Sequence, residues 1–252
     1  KDTYTYKKRI KRIHMCTNNI FIHIPKTGGS SFVRTLQVEV LKEDTFLLDN
    51  THAIKKILNI DIKHVDFSHP NRPMRDSDIF AKYNLYKDYN IFTIIRNPLE
   101  RLISEFIFQY HILKPKWKAA RIINSLVPRP TTFEEYVKHM EVWNYQLAFL
   151  SGRGLADKNK PNQKDLDNII YHFNKYPVYC GVTDNYDEFI NLFNKKSGYE
   201  IKNIHKMKEA PNDIKTDIYN SLPQELIDYI KKTNSLDYKL YEYAKKSQLQ
   251  HP

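Results

Sequence analysis

The chain has 252 residues, 41% hydrophobic and 13% aromatic, enough apolar side chain to bury the core of one α/β domain or two small ones. Forty Lys and Arg against 29 Asp and Glu give a formal charge of +11, which suits an anionic partner (nucleotide, nucleic acid or acidic polysaccharide) as well as an ordinary solubilising surface. This composition excludes a largely disordered chain and a membrane span, since no apolar run reaches the roughly 18–20 residues needed to cross a bilayer. Two cysteines, Cys16 and Cys180, exclude a disulfide framework or a cysteine-rich zinc site.

Residues 1–16, KDTYTYKKRIKRIHMC, are basic and aperiodic and read as a leader; residues 17–252 read as one domain. NIFIHIP, Asn19 to Pro25, reads as a short buried strand. Ser30 or Ser31 is placed to cap the following helix, whose Phe32, Val33, Leu36 and Val40 recur at helical spacing. HVDFS, His64 to Ser68, alternates like a strand and runs into the turn-forming HPNRP. NIFTII, Asn90 to Ile95, is a second continuous apolar strand. Asn97 suits the cap of the next helix and Pro98 its first turn, and Leu99, Leu102, Ile103, Phe106 and Tyr110 make its apolar stripe.

Lys114 to Thr131 is basic and proline-containing and reads as a connection. Thr132 with Glu135 forms a capping box for one helix ending near Ser151 and Gly152. A helix over about 165–175, a strand over 177–183, a helix from Tyr186 to Lys196 and a helical last forty residues complete the order. No internal repeat or composition break divides the chain. Strands alternating with helices predict an α/β fold: a mainly parallel central sheet flanked by helices.

The stretch FIHIPKTGGSSF, Phe21 to Phe32, resembles a phosphate loop with its lysine displaced: Lys26 precedes Gly28 and Gly29, whereas a nucleoside-triphosphatase P-loop has lysine after its glycines. Strand, PKTGGSS and helix would bring backbone N–H groups and the positive helix end around an anion. Thr27, Ser30 and Ser31 add hydroxyls, and Lys26 a mobile cation. A lysine–glycine turn also occurs as a plain βα connection. The second strand, however, ends in IIRNPLERLISEF, which sets Arg96 at a carboxyl end, where open α/β sheets bind ligands. Ser104 follows two helical turns on, on the side of Asn97 and Arg101, so Arg96 and Ser104 suit a second phosphate.

PKTGGSS together with IRNPLERLIS resembles the 5′-phosphosulfate loop and 3′-phosphate motif of sulfotransferases that use 3′-phosphoadenosine 5′-phosphosulfate (PAPS). The likeness is to carbohydrate sulfotransferases of the heparan sulfate 2-O-sulfotransferase type and their bacterial homologues. FSHPNRP resembles that family's G-H-F-P-Y-like segment, and NYQLAFLSG its N-x-Q-T-R-x-L-x-G helix end. YCGVTDNYDEF resembles V-G-x-T-E-x-F-D, and SLDYKLYEYA the closing D-x-x-L-Y-x-x-A helix. Ser68 stands where the family usually has glycine, Pro70 follows His69, and Tyr145 to Phe149 lacks the family's arginine.

The resemblance implies a P-loop-like sulfotransferase fold, with Lys26 beside the bridging oxygen of the phosphosulfate. It implies Thr27, Gly28, Gly29, Ser30 and Ser31 around the 5′-phosphate, Arg96 and Ser104 on the 3′-phosphate, and His69 as general base. His23, Asp66, Glu100 and Glu105 are the rival bases, His23 also suiting a core role on its strand. PAPS is the expected sulfate donor, no metal is required, and a hydroxyl of an anionic glycan is the expected acceptor. A tyrosine peptide or small alcohol is the alternative acceptor. A P-loop-type kinase would want magnesium ligands and lysine behind the glycines, and a nucleic-acid-binding module would want cations interleaved with aromatics. The first pattern is not evident, Lys114 to Arg129 offers the second only thinly, and no specific nucleic-acid partner is expected. The absence of a signal-peptide pattern and of an N-x-[ST] sequon favours a bacterial-type cytoplasmic protein; a Golgi-lumenal chain stripped of an N-terminal anchor is the alternative.

Overall fold

Parallel pairing organises the centre of the molecule. The computed structural model describes residues 18–39, 64–66, 89–108, 130–139, 143–151, 160–206 and 212–250. Within them, β1 (Asn18–Ile22), β2 (His64–Asp66), β3 (Tyr89–Ile95) and β4 (Val178–Val182) form one sheet in the order β2-β1-β3-β4. All three pairings are parallel; Ile20 lies opposite Val65 and Ile91, and Phe92 opposite Tyr179. The expected mainly parallel α/β domain is what the described residues form. The leader 1–16, Cys16, Val40, the HPNRP turn with His69, Tyr110, the basic stretch Lys114 to Arg129, and Gly152 lie outside them.

Strand apolarity is continuous because both faces are covered. On one face Phe21, Phe92 and Ile94 pack with Phe32 and Leu36 of α1 (Gly29–Glu39) and with Phe189, Ile190 and Phe193 of α6 (Tyr186–Ser197). Phe32 is their hub, 4.6–5.1 Å from the rings of Phe21, Phe189 and Phe193, within the range where aromatic pairs add to burial. On the other face Ile22, Ile91, Ile95, Cys180 and Val182 meet three helices: α4 (Tyr145–Leu150), α5 (Gln163–Lys175) and α9 (Ser235–Gln250). Gly181 of β4 is a close approach; a Cβ there would fall 2.4 Å from the Phe189 ring.

A third apolar cluster lies among helices. Leu102, Ile103, Phe106 and Ile107 of α2 (Pro98–Ile107) pack against Phe133, Tyr136 and Val137 of α3 (Phe133–His139). Leu226 and Ile230 of α8 (Gln224–Thr233) join them, with partly buried Ile214 and Ile218 from α7 (Asn212–Asn220). The stripe read from the sequence is therefore the buried face of α2. Arg101, which the same spacing leaves beside Asn97, is instead 1% exposed. It is ion-paired with Glu105 at 2.6 Å and stands 4.0 Å from the Tyr145 ring centroid. Burial alone would lower its pKa, but Glu105, the phenols of Tyr136 and Tyr145, and Asp237 lift it above its ordinary value, so the buried charge is compensated.

Three local expectations are corrected. Helix α1 starts at Gly29, which puts Ser30 and Ser31 in its first turn rather than at its cap. Strand β1 ends at Ile22, and Pro25 belongs to the turn. The single helix expected from Thr132 to Ser151 is two, α3 and α4. Its capping box is real, with Glu135 N–H on Thr132 Oγ1 at 3.1 Å and Thr132 N–H on Glu135 Oε2 at 3.4 Å. The break comes before Tyr145, where Asn144 takes a left-handed conformation (φ 50°). Its Oδ1 accepts from the N–H groups of Leu236 and Asp237, both at 3.0 Å, and its own N–H donates to Asn234 Oδ1 at 3.0 Å. Tertiary partners hold that turn against the helical pattern.

Candidate active site

The strand order reverses direction at β1: β2 lies on one side and β3 on the other. The crevice beyond the carboxyl ends of β1 and β3 is thus the switch point where doubly wound sheets take ligands. Both anion-suited segments, Pro25–Ser31 and Arg96–Ser104, leave the sheet there. Their adjacency comes from parallel pairing of β1 with β3, in which Ile22 faces Thr93; Thr93 Oγ1 also donates to the Ile22 carbonyl at 3.0 Å.

The first segment is a turn with two left-handed residues, Lys26 (φ 69°) and Gly28 (φ 84°). Glycine tolerates this geometry; for lysine it stores of order 1–3 kcal/mol of strain, supported by its surroundings. Thr27 between them is fully buried, and its hydroxyl donates to the Ile24 carbonyl at 2.8 Å. That bond pins the turn and commits the hydroxyl proton inside it. The N–H groups of Ser31 and Phe32 return to the Gly28 carbonyl at 3.1 and 3.3 Å. Gly29 and Ser30 then supply the first N–H groups of α1, which have no acceptor within a helix, at its positive end. Gly29 is pressed against His23: a Cβ there would lie 2.1 Å from the imidazole Cδ2. His23 is buried and 5.7 Å from the Phe21 ring, so it is packing beneath the turn.

Arg96 reaches across from the end of β3. Its Nη1 donates to the Lys26 carbonyl at 3.3 Å and its Nη2 to Glu100 Oε2 at 3.2 Å. Burial lowers the pKa of this guanidinium, with Glu100 and Asp184 pulling the other way; it remains a cation throughout the physiological range. The Arg96 peptide is bonded on both sides by the Gln146 side chain. Asn97 caps α2 as expected, its Oδ1 accepting from Leu99 and Glu100 N–H at 3.0 and 3.4 Å, with Pro98 opening the helix. Ser104 is half-buried two turns along α2. The Lys26 Nζ stands 3.9 Å from the ring centroid of Phe108, just past the end of that helix, a cation–π contact joining the two segments a second time.

The structure therefore brings Lys26, Thr27, Gly28, Gly29, Ser30, Ser31 and Arg96 together, with Ser104 on the helix that follows Arg96. Of the rival bases, Glu105 is paired with Arg101. Glu100 binds Arg96, Lys215 at 2.9 Å and the Tyr219 hydroxyl. His69 and the Asp66 side chain lie outside the described residues. Residues that sequence reading passed over also line the crevice. Thr183 and Tyr186, following β4, stand 3.3–3.4 Å from where a Gly28 Cβ would be, and the Tyr186 hydroxyl donates to the Gly28 carbonyl at 3.4 Å. Their only signal was the segment YCGVTDNYDEF, in which they come just after the end of β4. Gln146 had a signal as the glutamine of NYQLAFLSG, the segment that resembles the family's N-x-Q-T-R-x-L-x-G helix end, though its bond to Arg96 is set by tertiary packing. Lys215 had no local signal, being placed by contacts distant in sequence.

The sequence profile of the sulfotransferase family matches residues 17–244. No curated protein sequence matches the chain. Among solved structures the chain is similar to mouse sulfotransferase SULT7A1 complexed with PAP. The TM-score is 0.50 and the identity 11%, over 91% of this chain and 90% of that one. A sulfotransferase from Alicyclobacillus acidocaldarius superposes with a TM-score of 0.41 at 10% identity, over 89% of this chain and 95% of that one. At such identities the mouse enzyme bears on the fold alone.

Proposed function

Because this chain belongs to the sulfotransferase family, we propose that it moves the sulfuryl group of PAPS to a hydroxyl of an anionic glycan. The observation that carries the donor assignment is the meeting of Lys26 and Arg96 across the β1–β3 switch point, with an Arg96 N–H on the Lys26 carbonyl. The residues fit a nucleotide carrying two separate phosphate groups. The N–H groups of Gly29 and Ser30 and the Lys26 ammonium suit the 5′-phosphosulfate; Arg96, with Ser104 further along α2, suits the 3′-phosphate.

PAPS supplies an activated sulfuryl group, and the protein supplies position and charge. Lys26, with the open end of α1, neutralises the oxygen that gains charge as the sulfur–oxygen bond to the 5′-phosphate breaks. The acceptor oxygen forms the new bond to sulfur in line with the leaving oxygen, and its proton passes to His69, in our reading the general base. The glycan acceptor is supported by the +11 charge and by the sequence resemblance to carbohydrate sulfotransferases. The lysines at 114, 116 and 118 are proposed to attract that acceptor.

Binding of PAP without metal, compared with ATP and magnesium, tests the donor reading by calorimetry. Tight PAP binding with weak ATP binding is expected; the reverse preference would identify a kinase-like site and overturn it. Transfer of labelled sulfate to sulfatable polysaccharides, tyrosine peptides and small alcohols then tests the acceptor. Sulfation of a peptide or alcohol in preference to every glycan would overturn the glycan assignment.

A further inference from the structure

The guanidinium of Arg96 can grip a phosphate only if its backbone is held still at the point where β3 runs out. Strand β3 pairs with β4 up to Ile95 opposite Val182, and Arg96 is the first residue beyond that ladder. Its peptide groups need partners from elsewhere, because buried backbone donors and acceptors are paired as a rule. Gln146 supplies both. Its Oε1 accepts the Arg96 N–H at 2.9 Å and its Nε2 donates to the Arg96 carbonyl at 2.8 Å. The carboxamide thus continues the ladder by one residue, and it is 0% exposed.

Gln146 is itself anchored. The buried carboxylate of Asp237, in the first turn of α9, accepts the N–H of Gln146 on Oδ2 at 3.0 Å and that of Leu147 on Oδ1 at 2.8 Å. Asn144, whose side chain receives the N–H groups of Leu236 and Asp237, ties the same two helix starts together in the opposite direction. An anchor of this kind, bonded through both members of a side-chain amide to one main-chain residue, has no rotational slack. The bonds reach only the Arg96 main chain; its guanidinium is held separately, by the Lys26 carbonyl and Glu100.

We propose that Gln146, held by Asp237, is a positioning residue for the donor site: it sets the direction in which Arg96 leaves the sheet and so the preference for a 3′-phosphorylated nucleotide. The proposal rests on the assignment of Arg96 to the 3′-phosphate. Its test compares PAP with adenosine 5′-monophosphate, which differs only by lacking the 3′-phosphate, in calorimetric titrations of wild type, Arg96→Ala, Gln146→Met and the double variant. Gln146→Met keeps length and apolar volume and removes both bonds. The preference for PAP should fall about tenfold or more, as for neighbouring residues that act as a unit, with no further loss in the double variant. Affinity for the monophosphate should change little.

Gln146→Glu keeps the acceptor for the Arg96 N–H and loses the donor to its carbonyl. It should show a smaller loss of the same preference, and it serves if Gln146→Met does not fold. A lower Tm with equal weakening of both nucleotides, in either variant, would make Gln146 structural only and overturn the proposal. Loss of the preference in Arg96→Ala but not in the Gln146 variants would overturn it while leaving the 3′-phosphate assignment intact. A preference that survives Arg96→Ala would overturn both.

Discussion

His23 lies so close to Gly29 that any side chain at position 29 would overlap its imidazole, the nearest ring carbon being 2.1 Å from the Cβ site. The floor of the turn is therefore a histidine ring and its rim a glycine, and neither can move far: His23 is wedged beside Phe21 in the aromatic core. Gly29→Ala should push the turn outward. The expected cost is about 1–3 kcal/mol of overpacking, near 2–4 °C in Tm for each kcal/mol in a chain of this length. PAP affinity should fall with it, as the first N–H groups of α1 are displaced. Unchanged melting and PAP affinity in Gly29→Ala would mean that the turn yields freely.

Lys26 sits on the bond-breaking side in the proposed mechanism, and its ammonium rests over Phe108. Lys26→Ala should lower kcat about 10²–10³-fold, the scale of removing one preorganised charge-stabilising donor, and weaken PAP binding much less. Steady-state kinetics alongside PAP titration decide the matter. Losses of equal size in both would make Lys26 a simple binding residue.

Glu100 is ion-paired with both Arg96 and Lys215 and accepts a hydrogen bond from the Tyr219 hydroxyl. A phosphate arriving at Arg96 competes with that carboxylate. Glu100→Gln should tighten PAP binding about two- to fivefold, the worth of one partly exposed ion pair of up to about 1 kcal/mol. A markedly weaker complex would mean that Glu100 orients Arg96 for the ligand instead of competing for it.

Burial pushes the Cys180 thiol pKa well above its ordinary value, since the thiolate would have to form inside the core against the sheet. Its reactivity should be that of a protonated, inaccessible thiol. Iodoacetamide at pH 8, followed by mass mapping of the Cys180 peptide, should find it unmodified in the native protein and alkylated in denaturant. Because the folded pKa is the higher one, the unfolded chain loses its proton first. The Cys180 contribution to stability is therefore full below the ordinary thiol range, near 8.5, and declines above it toward the raised folded value. Rapid alkylation of Cys180 in the folded protein would contradict this.

His69, in our proposal, must be neutral to take the acceptor proton. The rate should therefore rise with pH through a single ionisation in the ordinary imidazole range, about 6–7, and His69→Ala should lose about 10²–10⁴-fold in kcat with PAP affinity intact. A His69→Ala enzyme that keeps both its rate and its acid limb would move the base elsewhere and leave the donor site untouched.

Strands β1, β3 and β4, the Asn97 cap with Pro98 behind it, and the capping box of Thr132 and Glu135 were legible in the sequence because each depends on neighbours within a turn or two: apolar runs, side-chain caps, a constrained proline φ. Both anion-suited segments were legible for the same reason, as turn chemistry following apolar strands. Their meeting was implied by the family resemblance and not by local chemistry, because it follows from the order β2-β1-β3-β4, and pairing order is chosen by burial of whole faces. The left-handed break at Asn144 overrode a helical pattern through partners about ninety residues away. Gln146 reaches Arg96 across 50 residues and Tyr219 reaches Glu100 across 119. Arg101 is the clearest case: spacing put a charged residue on the polar side of α2, yet Glu105, Tyr145 and the packing of neighbouring helices bury it. Local chemistry determined which residues could hold an anion; long-range packing decided which of them stand together and what holds them there.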